Sequence, residues 1–187
     1  MAYLSSEQLA QMGFKALGKE VKISDRASIY NADEIEIDDY SRIDDFCVIS
    51  GKVKIGKFNH ITPMCLVAGG ISGIIFEEFC TLAYGVNTFS QSDDCSGRTL
   101  TNSLIPKKYK SETFSAVHVH KHVGVGVGAV VSPCVVLAEG CAVGAMALVT
   151  KSTDAWGIYS GVRRSQGPSA TPDVRCCHAN EVHTSQH

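Results

Sequence analysis

The sequence lacks any long apolar run, so nothing in its 187 residues reads as a segment that spans a bilayer. It lacks a strong charge of either sign: the net charge of -2 gives no electrostatic footprint for nucleic acid or an anionic membrane. Its first residues, MAYLSSEQ, have neither a basic start nor an apolar stretch, so no signal peptide is expected and the cytoplasm is the default compartment. No Cys-x-x-Cys pair occurs among the 8 cysteines, which speaks against a structural zinc site. Cys176 and Cys177 are adjacent and incidental by position. These absences leave one soluble domain, long enough to bury a sizeable core.

What the sequence does have is a six-residue beat. Ile37, Ile43, Ile49, Ile55, Ile61 and Val67 keep it, as do Val119, Val125, Val131, Leu137, Val143 and Val149; Ile23, Ile29 and Ile35 precede them. Period six is neither the two of a strand nor the 3.6 of a helix. It suits a coil with flat faces one hexapeptide long, three to a turn, each sending one aliphatic side chain inward. Four residues after each aliphatic comes a small or β-branched residue, such as Ser41, Cys47, Val53, Cys65, Ala129 or Cys141, as a narrow triangular interior requires. Cys47, Cys65, Cys80 and Cys141 therefore read as reduced core residues.

Residues 1–20 are expected to form an N-terminal cap. Ser5 and Gln8 have the spacing of a capping box, Leu9, Met12 and Leu17 lie roughly on one helical face, and Gly18 is a stop signal. The coil is expected over 21–153, with phase slips near Ile35 and between Val67 and Phe76. The beat vanishes over 90–116, a polar stretch with Gly97 and Pro106 as breakers. In-phase repeats flank it, so it must leave one corner of the prism as a long loop suited to reach a neighbouring subunit. Its basic run, Lys107, Lys108 and Lys110, reads as a solvated face or an attractor of phosphate. Residues 154–187 read as largely irregular.

The repeat, the interrupting loop and the stretch GAMALVTKSTDAWGIYSGV together resemble the hexapeptide-repeat acyltransferases, in particular sugar O- and N-acetyltransferases of the galactoside, maltose and polysaccharide-cluster type. The resemblance spans roughly Tyr3 to Val162, and the loop sequence SDDCSG…LTNSLIP resembles that of the polysaccharide-cluster members. It implies an all-β fold, a left-handed parallel β-helix. It also implies a homotrimer with active sites between subunits, and transfer of an acetyl group from acetyl-CoA to a hydroxyl or amine of a sugar or nucleotide sugar. No metal, nucleic acid or membrane partner is expected.

By position, the resemblance assigns Gly144, Ala145, Thr150, Lys151 and Arg163 to coenzyme A. The loop histidine of the galactoside type is missing; Ser92, Asp93 and Asp94 stand there instead. Asp93 or Asp94 is expected to act as base if burial raises its pKa, to orient the acceptor together with Ser92, or to cap a turn. His118, His120 and His122 follow the loop. On a straight strand they share one side, which a corner would break, and His122 is the preferred catalytic candidate. An acceptor amine would need little help from a base. Two alternatives remain: a metalloenzyme similar to the γ-type carbonic anhydrases, drawing ligands from the histidines, and a non-catalytic hexapeptide scaffold. The second is favoured by the departure from the family pattern after Val162.

Overall fold

The aliphatic beat sets the cross-section. In the computed structural model, which describes residues 2–161, Ile37, Ile43, Ile49, Ile55, Ile61 and Val67 are all buried, as are their counterparts from Val119 to Val149. Each such side chain contributes about 1.5–3 kcal/mol by leaving water. The chain winds as a parallel β-helix with three faces. The second face is a parallel sheet of seven short strands, from Lys22–Ile23 to Ile158–Tyr159. The first face, from Ala16–Leu17 to Val136–Leu137, and the third, from Ser28–Tyr30 to Leu148–Val149, merge into one sheet, because the strands Val48–Ile55 and Leu66–Phe76 run on round the corner between them.

Both phase slips have a structural cause. The 3-10 turn Ala32–Glu34 occupies the first. The second is a bulge in Leu66–Phe76, where the register against Val48–Ile55 shifts around Gly51. Backbones there approach so closely that a Cβ on Gly69 would lie 2.0 Å from the Lys52 carbonyl oxygen.

The four core cysteines are buried thiols. The buried Asn59 is satisfied locally. The Asn59 side chain donates to the carbonyls of Gly56 (2.9 Å) and Glu77 (2.8 Å) and accepts from the Cys80 amide at 2.8 Å.

The corner between the first and second faces carries two parallel columns. At its left-handed turn position stand Glu20, Tyr40, Phe58, Phe79, His122, Gly140 and Trp156. Tyr40, Phe58, Phe79 and His122 stack face to face at 5.1, 5.2 and 5.2 Å between ring centroids. One residue earlier stand Lys19, Asp39, Lys57, Glu78, Lys121 and Glu139, whose carbonyls each accept the amide of the turn residue on the next rung. Their charges alternate, and Lys57–Asp39 (3.2 Å) and Lys121–Glu78 (2.9 Å) are ion pairs.

Both ends of the coil depart from expectation. The helix covers only Ser6–Gln11, with the Ser5/Gln8 capping box in place. Gly13, in a left-handed conformation, follows it, and Leu17 belongs to the first rung, Ala16–Leu17, instead of the helix. At the other end the coil continues past 153 to Ile158–Tyr159. There the tyrosine points inward and Ile158 outward, so the aliphatic beat is lost although the rung persists.

Candidate active site

The loop leaves the coil at Ser90. The buried Ser90 hydroxyl donates to the Gly69 carbonyl, and the Ser115 amide donates to the Ser90 carbonyl at 2.8 Å, which closes the base. Above it, Gln91–Asp93 and Glu112–Phe114 pair as an antiparallel ribbon with Asp93 opposite Glu112. Two carboxylates facing each other across such a ribbon repel. Lys110 removes the conflict: its ammonium lies 2.8 Å from Glu112 and 3.5 Å from Asp93, with the side chain only 6% exposed. Lys110 is therefore withdrawn from the basic run, and Lys107 and Lys108 alone present charge to solvent.

The two loop aspartates have different surroundings. The Asp94 carboxylate accepts from the Ser96 amide and hydroxyl, both at 2.9 Å. The Ser96 amide, then its hydroxyl, hold its pKa below the ordinary carboxylate value, so the raised pKa expected of a base does not arise at Asp94. Asp93 is half-buried beside Lys110, and its neighbour Ser92 is exposed, its hydroxyl donating to the Asp93 carbonyl at 3.2 Å.

The histidines divide as the coil turns. His118 and His120 share one side of the strand that follows the loop, with rings stacked at 4.2 Å. The corner carries His122 away from them. Its ring sits against Phe79 and, across Gly140, 6.4 Å from the Trp156 ring, at the far end of the first face from the loop. Thus Ser92, Asp93 and Asp94 come together within one chain, and His122 stands apart from them.

The residues assigned to coenzyme A lie near the C-terminal end of the coil. Thr150 and Lys151 line a groove of about 480 Å³ with Leu148, Asp154, Ile158 and Tyr159. The Gly144 amide donates to the Tyr159 carbonyl at 2.6 Å, and Ala145 is exposed at the adjoining corner. Arg163 lies outside the described residues. The end of the first face is capped by Ser152 and Thr153, whose hydroxyls accept the Val136 and Ala138 amides at 2.9 Å each. A second groove, about 470 Å³, lies beside the bulge and includes Lys15, Glu36, Lys52 and Lys54 but none of the expected site residues.

No protein-family profile matches the chain. It is 36% identical over 165 residues to the dTDP-4-amino-4,6-dideoxy-D-glucose acyltransferase of Escherichia coli, a match covering 87% of this chain and 85% of that enzyme. The chain is a hexapeptide-repeat acyltransferase. Among solved structures, this acyltransferase resembles AntD, an N-acyltransferase from Bacillus cereus, solved in complex with dTDP and 3-hydroxybutyryl-CoA. The TM-score is 0.85 at 42% identity, over 86% of each chain. A variant of AntD in complex with dTDP-4-amino-4,6-dideoxyglucose and coenzyme A also superposes with a TM-score of 0.85, at 42% identity and over 87% of each chain. The maltose O-acetyltransferase of Clostridium difficile 630 shares the fold at 15% identity, with a TM-score of 0.57 over 83% of this chain and 69% of that one. Among the described residues of the acyltransferase, no helix is long and apolar enough to cross a membrane.

Sequence reasoning missed Lys110 as the partner of Asp93. Its spacing from Asp93 becomes meaningful only once the ribbon is known.

Proposed function

We propose that this acyltransferase moves an acyl group from coenzyme A to the 4-amino group of a dTDP-linked 4-amino-4,6-dideoxyhexose in the cytoplasm. In this reading it works as a homotrimer, with each active site between two subunits. The observation that carries the reading is the likeness, over most of the chain, to enzymes described as acting on that amino sugar or as N-acyltransferases bound to it. The loop chemistry agrees: an amine carries its own lone pair, and this loop offers carboxylates in place of a histidine.

In this mechanism Asp93, with Ser92 beside it, accepts an N–H hydrogen bond from the neutral amine and points its lone pair at the thioester. The nitrogen attacks the carbonyl carbon, and the C–S bond breaks as the tetrahedral intermediate collapses. The amide forms, the amine proton is lost, and coenzyme A leaves as its thiol. Asp94 stays ionised and holds the loop turn. His122, serving the loop of a neighbouring subunit, is the candidate that takes the released proton and passes it to the departing sulfur. Gly144, Ala145, Thr150, Lys151 and Arg163 line the path of coenzyme A, whose pantetheine amides pair with backbone groups of successive rungs. Acetyl is the proposed acyl group.

Thiol release measured with dTDP-4-amino-4,6-dideoxyglucose tests the reading, with acetyl-CoA and 3-hydroxybutyryl-CoA compared as donors. Saturable turnover is expected with the amino sugar and none with its 4-hydroxy analogue. Turnover of simple glycosides but of no amino-sugar nucleotide would overturn it.

A further inference from the structure

A cluster of metal-ligand side chains lies on the outside of the first face, apart from the loop ribbon and the coenzyme A groove. We propose that Glu77, His118 and His120 form a binding site for a divalent transition-metal ion of the class that imidazole and carboxylate hold together, such as zinc, nickel or cobalt.

The topology brings these residues together. His118 and His120 are alternate residues leaving one strand on the same side. Glu77 follows directly on the strand of the preceding rung, Leu66–Phe76, and its amide donates to the Val119 carbonyl at 2.8 Å, which fixes the carboxylate beside the two rings. Glu77 Oε1 lies 3.1 Å from His118 Nε2 and 3.1 Å from His120 Nδ1. One ligand atom from each residue falls within 4.8 Å of the others. Bonds of about 2.0–2.2 Å in a tetrahedral site put donor atoms about 3.4 Å apart, so an ion needs only small side-chain movements.

The supporting groups suit this use. The Lys121 amide donates to Glu77 Oε2 at 3.2 Å, which holds one carboxylate oxygen and leaves the other facing the rings, the orienting role that outer partners play at metal sites. The side chains of His118, His120 and Glu77 are 36%, 37% and 28% exposed, so an ion can enter and a water can complete the coordination. Without an ion the same atoms are satisfied by two imidazole N–H groups donating to one carboxylate. On binding, each ring presents a lone pair on that nitrogen and carries its proton on the other. The lack of a Cys-x-x-Cys pair does not bear on such a site, because its ligands come from two strands separated by the loop.

Titration calorimetry of the full chain with zinc, and absorption spectroscopy with cobalt, test the proposal. His60, and Cys176, Cys177, His178, His183 and His187 beyond the described residues, supply a background. The readout is therefore the difference between the wild type and a His118→Asn/His120→Asn variant. The wild type should bind one more zinc ion per chain and show cobalt d–d bands that the variant lacks. Glu77→Gln should weaken binding about tenfold or more. Equal stoichiometry in wild type and variant, with unchanged cobalt spectra, would mean that the cluster is a hydrogen-bonded trio only, and would overturn the site. If the double variant fails to fold, the wild type alone still tests the site, since the absence of a saturable cobalt band at millimolar metal overturns it equally. Thiol-release activity is a separate readout, so failure here leaves the proposed acyl transfer standing.

Discussion

Lys110 shows how much one residue can hold. It is a buried cation between two carboxylates, and without it Asp93 and Glu112 face each other uncompensated across the ribbon. Lys110→Met should therefore raise KM for the acceptor and lower kcat while leaving the thermal midpoint of the coil nearly unchanged, because the loop projects from it. Asp93→Asn should cost on the order of 10² in kcat/KM by removing the acceptor's partner. Unchanged kinetics in both variants would remove Asp93 from the site.

Asp44 is a second telling residue, at 2% exposure. Burial pushes its pKa up, but hydrogen bonds from Arg42 (2.6 Å) and His60 (2.9 Å) outweigh that and leave it below the ordinary value. A depressed folded-state pKa stabilises above the unfolded value of about 3.9, and that contribution is lost as pH falls through the folded value. Urea midpoints should show Asp44→Asn less stable by about 1–3 kcal/mol at neutral pH, with the gap closing below about pH 4. A gap that stays constant on acidification would exclude this account.

Core thiols make a third case. Desolvation pushes Cys80 up to about 11 and also raises Cys141, and thiolate is the reactive form. Native alkylation read by mass spectrometry should modify Cys95, which is exposed, and spare Cys47, Cys65, Cys80 and Cys141.

At the scale of elements, the corner turns matter most. Gly140 takes a left-handed conformation, and a Cβ there would lie 2.2 Å from the Trp156 ring. Gly140→Ala should displace Trp156, the single tryptophan of the chain, and shift its fluorescence while far-ultraviolet dichroism stays the same.

The elements also show what could be read from sequence. The beat placed the rungs, and its slips marked the 3-10 turn and the bulge, because one inward aliphatic per face is a strict steric demand. The ends were less legible. Met12 and Leu17 fit a helical face by spacing alone, yet two or three apolar residues also fit a turn and a strand. At Ile158–Tyr159 the rung persists with its apolar order inverted. Glu77 lies more than forty residues before His118 and His120, with the loop between, so only the winding of the coil reveals the trio.

At the scale of the whole molecule, the proposed mechanism requires assembly. His122 lies at the far end of the first face from its own loop, so the proposed mechanism needs a neighbouring subunit. Sedimentation should give a mass three times the chain's 20.0 kDa, and activity should fall on dilution below the assembly threshold. A fully active monomer would exclude His122 from the reaction. The coil's own stability comes from nearest-neighbour stacking of rungs. The short helix covers one end, with Leu9 packed into the core, and the Ser152 and Thr153 hydroxyls cover backbone at the other.

Turns so alike in shape raise the question of how the chain counts them. A segment displaced by one whole turn would still bury aliphatics on aliphatics, and sterics alone would barely object. The column Lys19, Asp39, Lys57, Glu78, Lys121 and Glu139 does object. Skipping one turn sets like charges together at the junction, Lys57 over Lys19 or Glu78 over Asp39, whereas the native alignment opposes signs at each step. Each exposed pair adds only about 0–1 kcal/mol to stability. Their sequence of signs nonetheless acts as a parity check, written in water-facing residues, against a miscounted coil.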